Sequence, residues 1–292
     1  MKIVFCDIDG TFQDIGGDVP KINFDSIDAL QEQGDYFVFI SGRGYEQLQE
    51  ILEKITNDCD VIFSNGAGYR LKGEQPVYRA WLSLENCRKS AALLEKRDVF
   101  YFIHTDKGII MKPYEQYLEH FKALREKLKP MGEVGDKIMD FKENFFATQC
   151  EFVENPIEHL TQHPELKALK IEIMEASDGE MDYLRDTLND DETYVFSSYV
   201  QCLEIVNPIS SKGHAIQHFM TNFPDAVSYG IGDGENDLAM LEVVDVPVAV
   251  ANAKELVKKQ AQVIAADCSE GGVGQFIFQH LIPSDKASKW GY

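Results

Sequence analysis

The chain has 292 residues, 44% of them hydrophobic and 26% charged, a composition that favours a globular protein over a disordered one. Its formal net charge of −21 argues against binding to nucleic acid or an anionic membrane, because both need a basic surface. No apolar run approaches the roughly 20 residues that cross a bilayer. The first residues are too acidic for a secretory signal, so we expect a cytoplasmic protein.

The six cysteines are scattered along the chain and include no Cys-x-x-Cys pair. This spacing offers neither a zinc site nor a disulfide framework. We therefore expect reduced and mostly buried thiols.

The first part of the chain alternates apolar strands with helices. We predict strands at 2–6, 36–40 and 60–63, separated by helices at 25–33 and about 45–55. Each strand ends in polar residues and glycine. This pattern predicts an α/β fold with a doubly wound parallel sheet, in which ligands bind beyond the carboxyl ends of the strands.

The middle of the chain, 84–207, has a different pattern of paired strands between helices. It predicts an antiparallel sheet with helices on one face, a separate α+β unit. The parallel alternation resumes with a helix at 212–219 and a strand at 226–231. The sequence therefore predicts a Rossmann-like core of residues 1–83 and 208–292, with the α+β unit inserted between the two segments.

Two carboxylates, Asp7 and Asp9, follow the first strand, and Gly10 comes next. Two positions apart in an extended backbone, their side chains emerge on the same side, and Gly10 permits a tight turn. Such a pair can provide a nucleophile or metal ligand and an acid or base. The alternative interpretation is a polar strand end that caps a turn, and this short motif alone allows both.

Polar groups also follow the second and third strands. Ser41, Gly42 and Arg43 combine a hydroxyl with backbone amides, which suits the binding of phosphate oxygens. Asn65 and Gly66 follow the third strand. Both patterns also occur in ordinary turns, so these residues are candidate substrate contacts only in combination with the others.

Lys212 lies at the predicted start of a helix, where the helix dipole disfavours a cation. This placement suggests that it binds an anion beside the helix N-terminus. A solvated surface lysine is the alternative.

The segment 232–237 contains Asp233, Glu235, Asn236 and Asp237 after an apolar strand. Carboxylates this close repel one another unless a cation lies among them, and oxygen ligands without His or Cys favour Mg²⁺ over zinc. An acidic helix N-cap is the alternative, although it explains only one or two of these residues.

In this order, the four motifs resemble the haloacid dehalogenase-like hydrolase superfamily, and most closely its Cof-type sugar-phosphatase branch. The motifs are Asp7-Ile8-Asp9-Gly10-Thr11, Ser41-Gly42-Arg43, Lys212 and Gly232-Asp233-Gly234-Glu235-Asn236-Asp237. The resemblance covers nearly the whole chain. It implies that the inserted unit is a cap that sets substrate specificity.

The resemblance also implies roles for the first three motifs. Asp7 would be the nucleophile and a metal ligand. Asp9 would act as the general acid and then as the base. Ser41 and Lys212 would hold the transferring phosphoryl group.

For the cofactor, the resemblance implies Mg²⁺. Asp233 would be its third protein ligand beside Asp7 and the backbone carbonyl of Asp9. Asp237 and Asn236 would lie close by, Asp237 as a further metal ligand and Asn236 as a substrate contact.

The predicted activity is a magnesium-dependent phosphatase that hydrolyses a small phosphorylated metabolite, such as a sugar phosphate, through an aspartyl-phosphate on Asp7. Two alternatives stay open at this point. One is a hexose phosphomutase of similar architecture, and the other is a phosphate-ligand sensor without turnover.

Overall fold

The computed structural model describes residues 1–14 and 17–292. They form two compact units: Met1–Arg79 together with Ile209–Tyr292, and Ala80–Pro208. We call the first the core and the second the cap. The boundaries predicted from the sequence lie after residues 83 and 207.

The helices and strands have the following bounds. The strands are β1 Lys2–Cys6, β2 Tyr36–Ile40, β3 Asp60–Phe63, β4 Gly68–Arg70, β5 Val77–Tyr78, β6 Phe100–Thr105, β7 Gly108–Met111, β8 Cys150–Phe152, β9 Ala168–Met174, β10 Tyr194–Tyr199, β11 Cys202–Val206, β12 Val227–Gly232, β13 Val246–Ala249 and β14 Val263–Ile264. The helices are α1 Lys21–Glu32, α2 Gln49–Leu52, α3 Leu84–Lys96, α4 Leu118–Leu128, α5 Glu133–Gln149, α6 Pro156–Gln162, α7 Asp178–Leu188, α8 Lys212–Met220, α9 Leu238–Leu241, α10 Glu255–Gln260, α11 Gly272–His280 and α12 Ser284–Ala287. Short 3₁₀ turns precede α2, α4 and α9.

The core sheet has the strand order β14-β13-β12-β1-β2-β3-β4-β5. The pairs from β14 to β3 are parallel, and the last two pairs are antiparallel. Cys6 of β1 is in register with Ile231 of β12 on one side and with Phe39 of β2 on the other. The residues that follow these three strands therefore emerge at one edge of the sheet.

Both faces of the core sheet are covered. Phe5 is in register with Val38, so the neighbouring Phe39 points to the opposite face. Phe219 of α8 packs on Phe5 with ring centroids 5.5 Å apart, and Phe12 packs on Phe39 at 4.9 Å. This two-sided packing is that of a doubly wound α/β fold, as the alternation of strands and helices predicted.

The cap contains a six-stranded sheet in the order β10-β11-β9-β6-β7-β8. Its strand pairs are antiparallel except β7–β8, which is parallel. Leu94 of α3 and Leu184 of α7 lie in the hydrophobic cluster on one face. Phe121 of α4 and Phe146 of α5 pack on Phe100 of β6 in a second cluster.

The prediction of an antiparallel cap sheet with helices on one face is therefore wrong on two points, the parallel pair and the second helical layer. The sequence pattern had not revealed α5. Gly135 lies near the start of α5, where a Cβ would be 2.3 Å from the carbonyl oxygen of Leu128. The glycine thus lets α5 approach the end of α4.

All six cysteines are free, as expected, and all are buried apart from the half-buried Cys150. In the part of the chain that the structure describes, no helix combines the length and the apolar character needed to span a membrane.

Candidate active site

Asp7 and Lys212 form the centre of the candidate site. The Lys212 ammonium donates to Asp7 Oδ1 at 2.5 Å and to Asp237 Oδ1 at 2.6 Å. Asp7 follows β1, Lys212 begins α8, and Asp237 follows β12. The lysine side chain is 0% exposed, so its interpretation as a solvated surface lysine is wrong.

Asp237 connects Lys212 to the loop after β12. Its Oδ2 accepts hydrogen bonds from the backbone amides of Asp233 and Gly234, both at 2.9 Å. A Cβ on Gly232 would lie 2.5 Å from Asp237 Cγ. The glycine therefore permits this close approach, and the carboxylate fixes the loop and the lysine together.

Asp233 faces the loop after β1. Its Oδ1 accepts a hydrogen bond from Thr11 Oγ1 at 2.8 Å. Gly10 has φ +83°, and a Cβ there would lie 2.7 Å from Asp233 Oδ2. Thr11 was not among the predicted site residues, although its place in the first motif was the signal that could have found it.

Carboxylate oxygens of Asp7, Asp233 and Asp237 all lie within 4.8 Å of one another. Burial raises the pKa of Asp7 well above its usual value, Lys212 opposes this shift, and the other two carboxylates add to it. Burial and the Asp237 carboxylate raise the pKa of Asp233 to about 7. Three carboxylates beside one ammonium group, which pairs with only two of them, leave excess negative charge, which a hard divalent cation such as Mg²⁺ would offset.

The Asp9 carboxylate is outside this cluster and is paired with Arg43. Arg43 Nε donates to Asp9 Oδ2 at 2.7 Å, and Nη2 donates to Oδ1 at 2.5 Å. Desolvation lowers the pKa of Arg43, but the bond to Asp9 outweighs it and raises that pKa. Arg43, which was predicted to contact the substrate, is therefore hydrogen-bonded to Asp9, the predicted acid/base.

Ser41 is 1% exposed at the end of β2. Its Oγ accepts a hydrogen bond from the Arg43 amide at 3.1 Å, and its carbonyl accepts one from the Asn65 amide at 2.9 Å. A Cβ on Gly42 would lie 3.3 Å from the Asn65 side chain. These bonds join the loops after β2 and β3.

The predicted contacts Asn65, Gly66 and Asn236 lie in these same loops. Asn236 Nδ2 donates to Asn65 Oδ1 at 3.1 Å, which links the loop after β12 to the loop after β3. Gly66 has φ +98°, and a Cβ there would lie 2.8 Å from the carbonyl oxygen of Ser211, beside Lys212. The Ser211 hydroxyl in turn accepts a hydrogen bond from the His214 amide and caps α8.

Asn252 is a further residue of this region without a predicted role. Its Nδ2 donates to the carbonyl of Gly10 at 2.7 Å, and its Oδ1 accepts from the Cys268 amide at 3.0 Å. It therefore supports the loop that bears Asp7 and Asp9. The Asn252-Ala253 pair had resembled the Cof-type branch, and that was the available signal.

Two solved structures have the same fold. A haloacid dehalogenase-like hydrolase from Bacillus subtilis overlays with a TM-score of 0.83 at 20% identity, over 96% of this chain and 100% of that one. A sugar phosphatase of haloacid dehalogenase subclass IIB overlays with a TM-score of 0.72 at 19% identity, over 97% of this chain and 100% of that one.

Comparison of sequences agrees with this result. A Mycoplasma genitalium protein, whose name assigns it a phosphatase activity provisionally, is 27% identical over 96% of this chain and 99% of its own length. A chloroplastic endoribonuclease YBEY of Arabidopsis thaliana is 22% identical over 95% of this chain, which spans only 46% of that protein. A model of the family described as haloacid dehalogenase-like hydrolase matches residues 4–277. The chain belongs to the haloacid dehalogenase-like hydrolase family.

Proposed function

We propose that the protein is a magnesium-dependent phosphatase that hydrolyses a small phosphomonoester through an aspartyl-phosphate on Asp7. The observation that carries the proposal is the cluster of Asp7, Asp233 and Asp237 at the carboxyl edge of the core sheet, in which the buried Lys212 ammonium contacts Asp7 and Asp237. It combines a carboxylate nucleophile with the fixed Lys212 ammonium and with oxygen ligands for a metal ion.

Four predicted groups could hold the ion: the side chains of Asp7, Asp233 and Asp237 and the backbone carbonyl of Asp9. When bound, Mg²⁺ supplies positive charge against the phosphoryl oxygens. Asp237 has the smallest part in this binding, because both of its oxygens already accept hydrogen bonds from Lys212 and from the loop amides.

In the first half of the proposed reaction, a carboxylate oxygen of Asp7 attacks phosphorus and the bond to the leaving oxygen breaks. Protonated Asp9 gives its proton to that oxygen. Lys212 keeps Asp7 in place through Oδ1 and, with the Ser41 hydroxyl, binds phosphoryl oxygens.

In the second half, Asp9 takes a proton from water. The water oxygen attacks phosphorus, and the bond from phosphorus to Asp7 breaks. Phosphate leaves, and Asp9 is protonated again for the next cycle.

The substrate class that we propose is a sugar phosphate. It is supported by the overlay with a sugar phosphatase and by the Cof-type motifs. The strongly acidic chain would repel a phosphorylated metabolite unless the site supplied local positive charge, and Lys212, Arg43 and the ion would do so. That the cap selects the substrate, and that the protein works in the cytoplasm, remain predictions.

The test is hydrolysis of p-nitrophenyl phosphate with Mg²⁺ by wild type and by Asp7→Asn. We expect the substitution to lower kcat by more than about 10⁴-fold, as loss of a nucleophile does elsewhere. Asp225→Asn is the matched control, because it removes the same charge from an exposed position and should leave kcat unchanged. Acid-quenched wild type should carry a phosphoryl group on the peptide that contains Asp7. Equal turnover by wild type and Asp7→Asn would refute the proposal.

A further inference from the structure

The pair formed by Asp9 and Arg43 joins two loops that are 34 residues apart in the sequence. Its two parallel hydrogen bonds, at 2.7 and 2.5 Å, use one lone pair on each carboxylate oxygen of Asp9 and leave the second lone pair of each for a transferred proton. A bidentate pair of this kind fixes the position of a carboxylate and also the plane in which it lies. A single contact from a lysine would fix neither as well.

The arginine is itself held by its backbone. Its amide donates to Ser41 Oγ at 3.1 Å, and its carbonyl accepts a hydrogen bond from the Ser64 amide at 2.8 Å. On the other side, the Gly10 amide donates to the Gln13 carbonyl at 2.8 Å and closes the turn that carries Asp9. The guanidinium therefore projects from one fixed loop onto a side chain of another.

Stability of the fold does not account for this pair. The Arg43 side chain is 30% exposed and that of Asp9 is 41% exposed. Ion pairs at such exposure contribute little to folding, because water screens them. By contrast, placing a proton-transferring group within a fraction of an ångström strongly affects rate.

We propose that Arg43 is a positioning residue that holds the Asp9 carboxyl group in the orientation from which it transfers protons. The inference rests on the proposed function, in which Asp9 protonates the leaving group. In this inference Arg43 acts by orienting Asp9, whereas the sequence had predicted only that Arg43 contacts the substrate.

The test compares two substrates in the same enzyme preparation. p-Nitrophenyl phosphate releases a stabilised phenolate that needs little protonation, whereas a hexose 6-phosphate releases a primary alcohol that needs a proton. We expect Arg43→Gln to lower kcat/KM for the hexose phosphate about 10- to 100-fold more than for the aryl phosphate. This ratio is independent of the folded fraction, because both substrates report on the same active molecules.

Two further variants separate positioning from phosphate binding. Arg43→Lys keeps the charge but loses the bidentate geometry, so it should resemble Arg43→Gln in the substrate ratio. In the Asp9→Asn background, Arg43→Gln should leave the ratio unchanged, because the group that it positions is already lost.

The inference is overturned if Arg43→Gln lowers kcat/KM equally for both substrates, or if Arg43→Lys restores the wild-type ratio. Equal loss for both substrates would make Arg43 a direct phosphate contact, and restoration by lysine would show that positive charge without the bidentate geometry is sufficient. The proposed function would survive both, since it depends on turnover by wild type and its loss in Asp7→Asn. Equal turnover by wild type and Asp7→Asn would instead remove the basis of both proposals.

Discussion

The core and the cap each bury a group of charged side chains, but the two groups differ in composition. In the core, the Lys212 ammonium is paired with Asp7 and Asp237, and the Asp233 carboxylate lies beside these two. In the cap, Glu172 and Glu204 lie among Lys142, Lys170 and His104. The cap group therefore contains as many lysines as glutamates, whereas the core group has an excess of negative charge.

The consequence is visible in the carboxyl groups themselves. Burial alone would raise the pKa of Glu172, but the Lys142 and Lys170 ammonium groups outweigh it and lower that pKa well below its usual value. In the core, burial prevails and the pKa of Asp7 is raised. Equal burial thus gives opposite shifts, because the neighbours differ. The cap cluster pairs its glutamates with an equal number of lysines, whereas the core cluster has more carboxylates than ammonium groups, which agrees with the metal site that we propose there.

The largest effect should come from removing the one cation of the core cluster. We expect Lys212→Met to lower kcat by about 10³- to 10⁴-fold, because the variant loses a buried charge that faces the developing phosphoryl charge. Steady-state kinetics at saturating Mg²⁺ measures this. Lys54→Met is the control, since Lys54 forms an exposed pair with Glu50, and this variant should retain wild-type kcat. If Lys212→Met retained activity within a factor of ten, the contrast between the clusters would have no functional meaning.

In the cap, the corresponding substitution should affect stability. Glu172 contacts His104 Nε2 at 2.9 Å and Lys142 Nζ at 2.9 Å. Glu172→Gln leaves two buried lysines with one carboxylate, so we expect it to lower the free energy of unfolding of the cap by about 3–5 kcal/mol. The exposed Glu119→Gln should cost less than about 1 kcal/mol.

Urea denaturation followed by tryptophan fluorescence can measure this loss in the cap alone. The chain has two tryptophans, and Trp81 belongs to the cap while Trp290 belongs to the core. A Trp290→Phe background therefore leaves a cap reporter. Equal urea midpoints for Glu172→Gln and the parent would contradict the structural role that we assign to the cluster.

A smaller effect is expected from pH. The pKa of Glu172 is lower in the folded cap than its value of about 4.3 in an unfolded chain. Its contribution to stability is therefore fully present above that unfolded value and is lost as pH falls through the folded pKa. Between pH 6 and 3, the unfolding free energy of the parent should fall more steeply than that of Glu172→Gln. Parallel curves for the two proteins would rule out this linkage.

Much of the core fold could be predicted from local sequence patterns. The apolar runs of β1, β2 and β3 end in polar residues, and the structure gives them the bounds 2–6, 36–40 and 60–63, as predicted. The helix predicted at 25–33 ends as expected before Gly34, which has φ +80°, but begins earlier, at Lys21 directly after Pro20. The pairing of β1 with β12 and with β2 places the first, second and fourth motifs at one edge of the sheet.

The contacts between loops could not be predicted, because they depend on tertiary packing. The sequence pattern predicted that Arg43 contacts the substrate. Its hydrogen bonds to Asp9 form because the loops after β1 and β2 are adjacent in the fold. Likewise, the sequence allowed Lys212 to be a surface residue, whereas in the fold its side chain is buried against Asp7 and Asp237. In the cap, helix α5 was not predicted, so the second helical layer was known only from the structure.

The most direct test of the central claim is Mg²⁺ binding measured by isothermal titration calorimetry, without substrate. We expect one strong site per chain in wild type, loss of that site in Asp233→Asn, and unchanged binding in Glu172→Gln at a temperature where this variant is folded. Absence of Mg²⁺ binding by wild type, or equal binding by wild type and Asp233→Asn, would contradict the claim that the core cluster is built to hold a divalent cation.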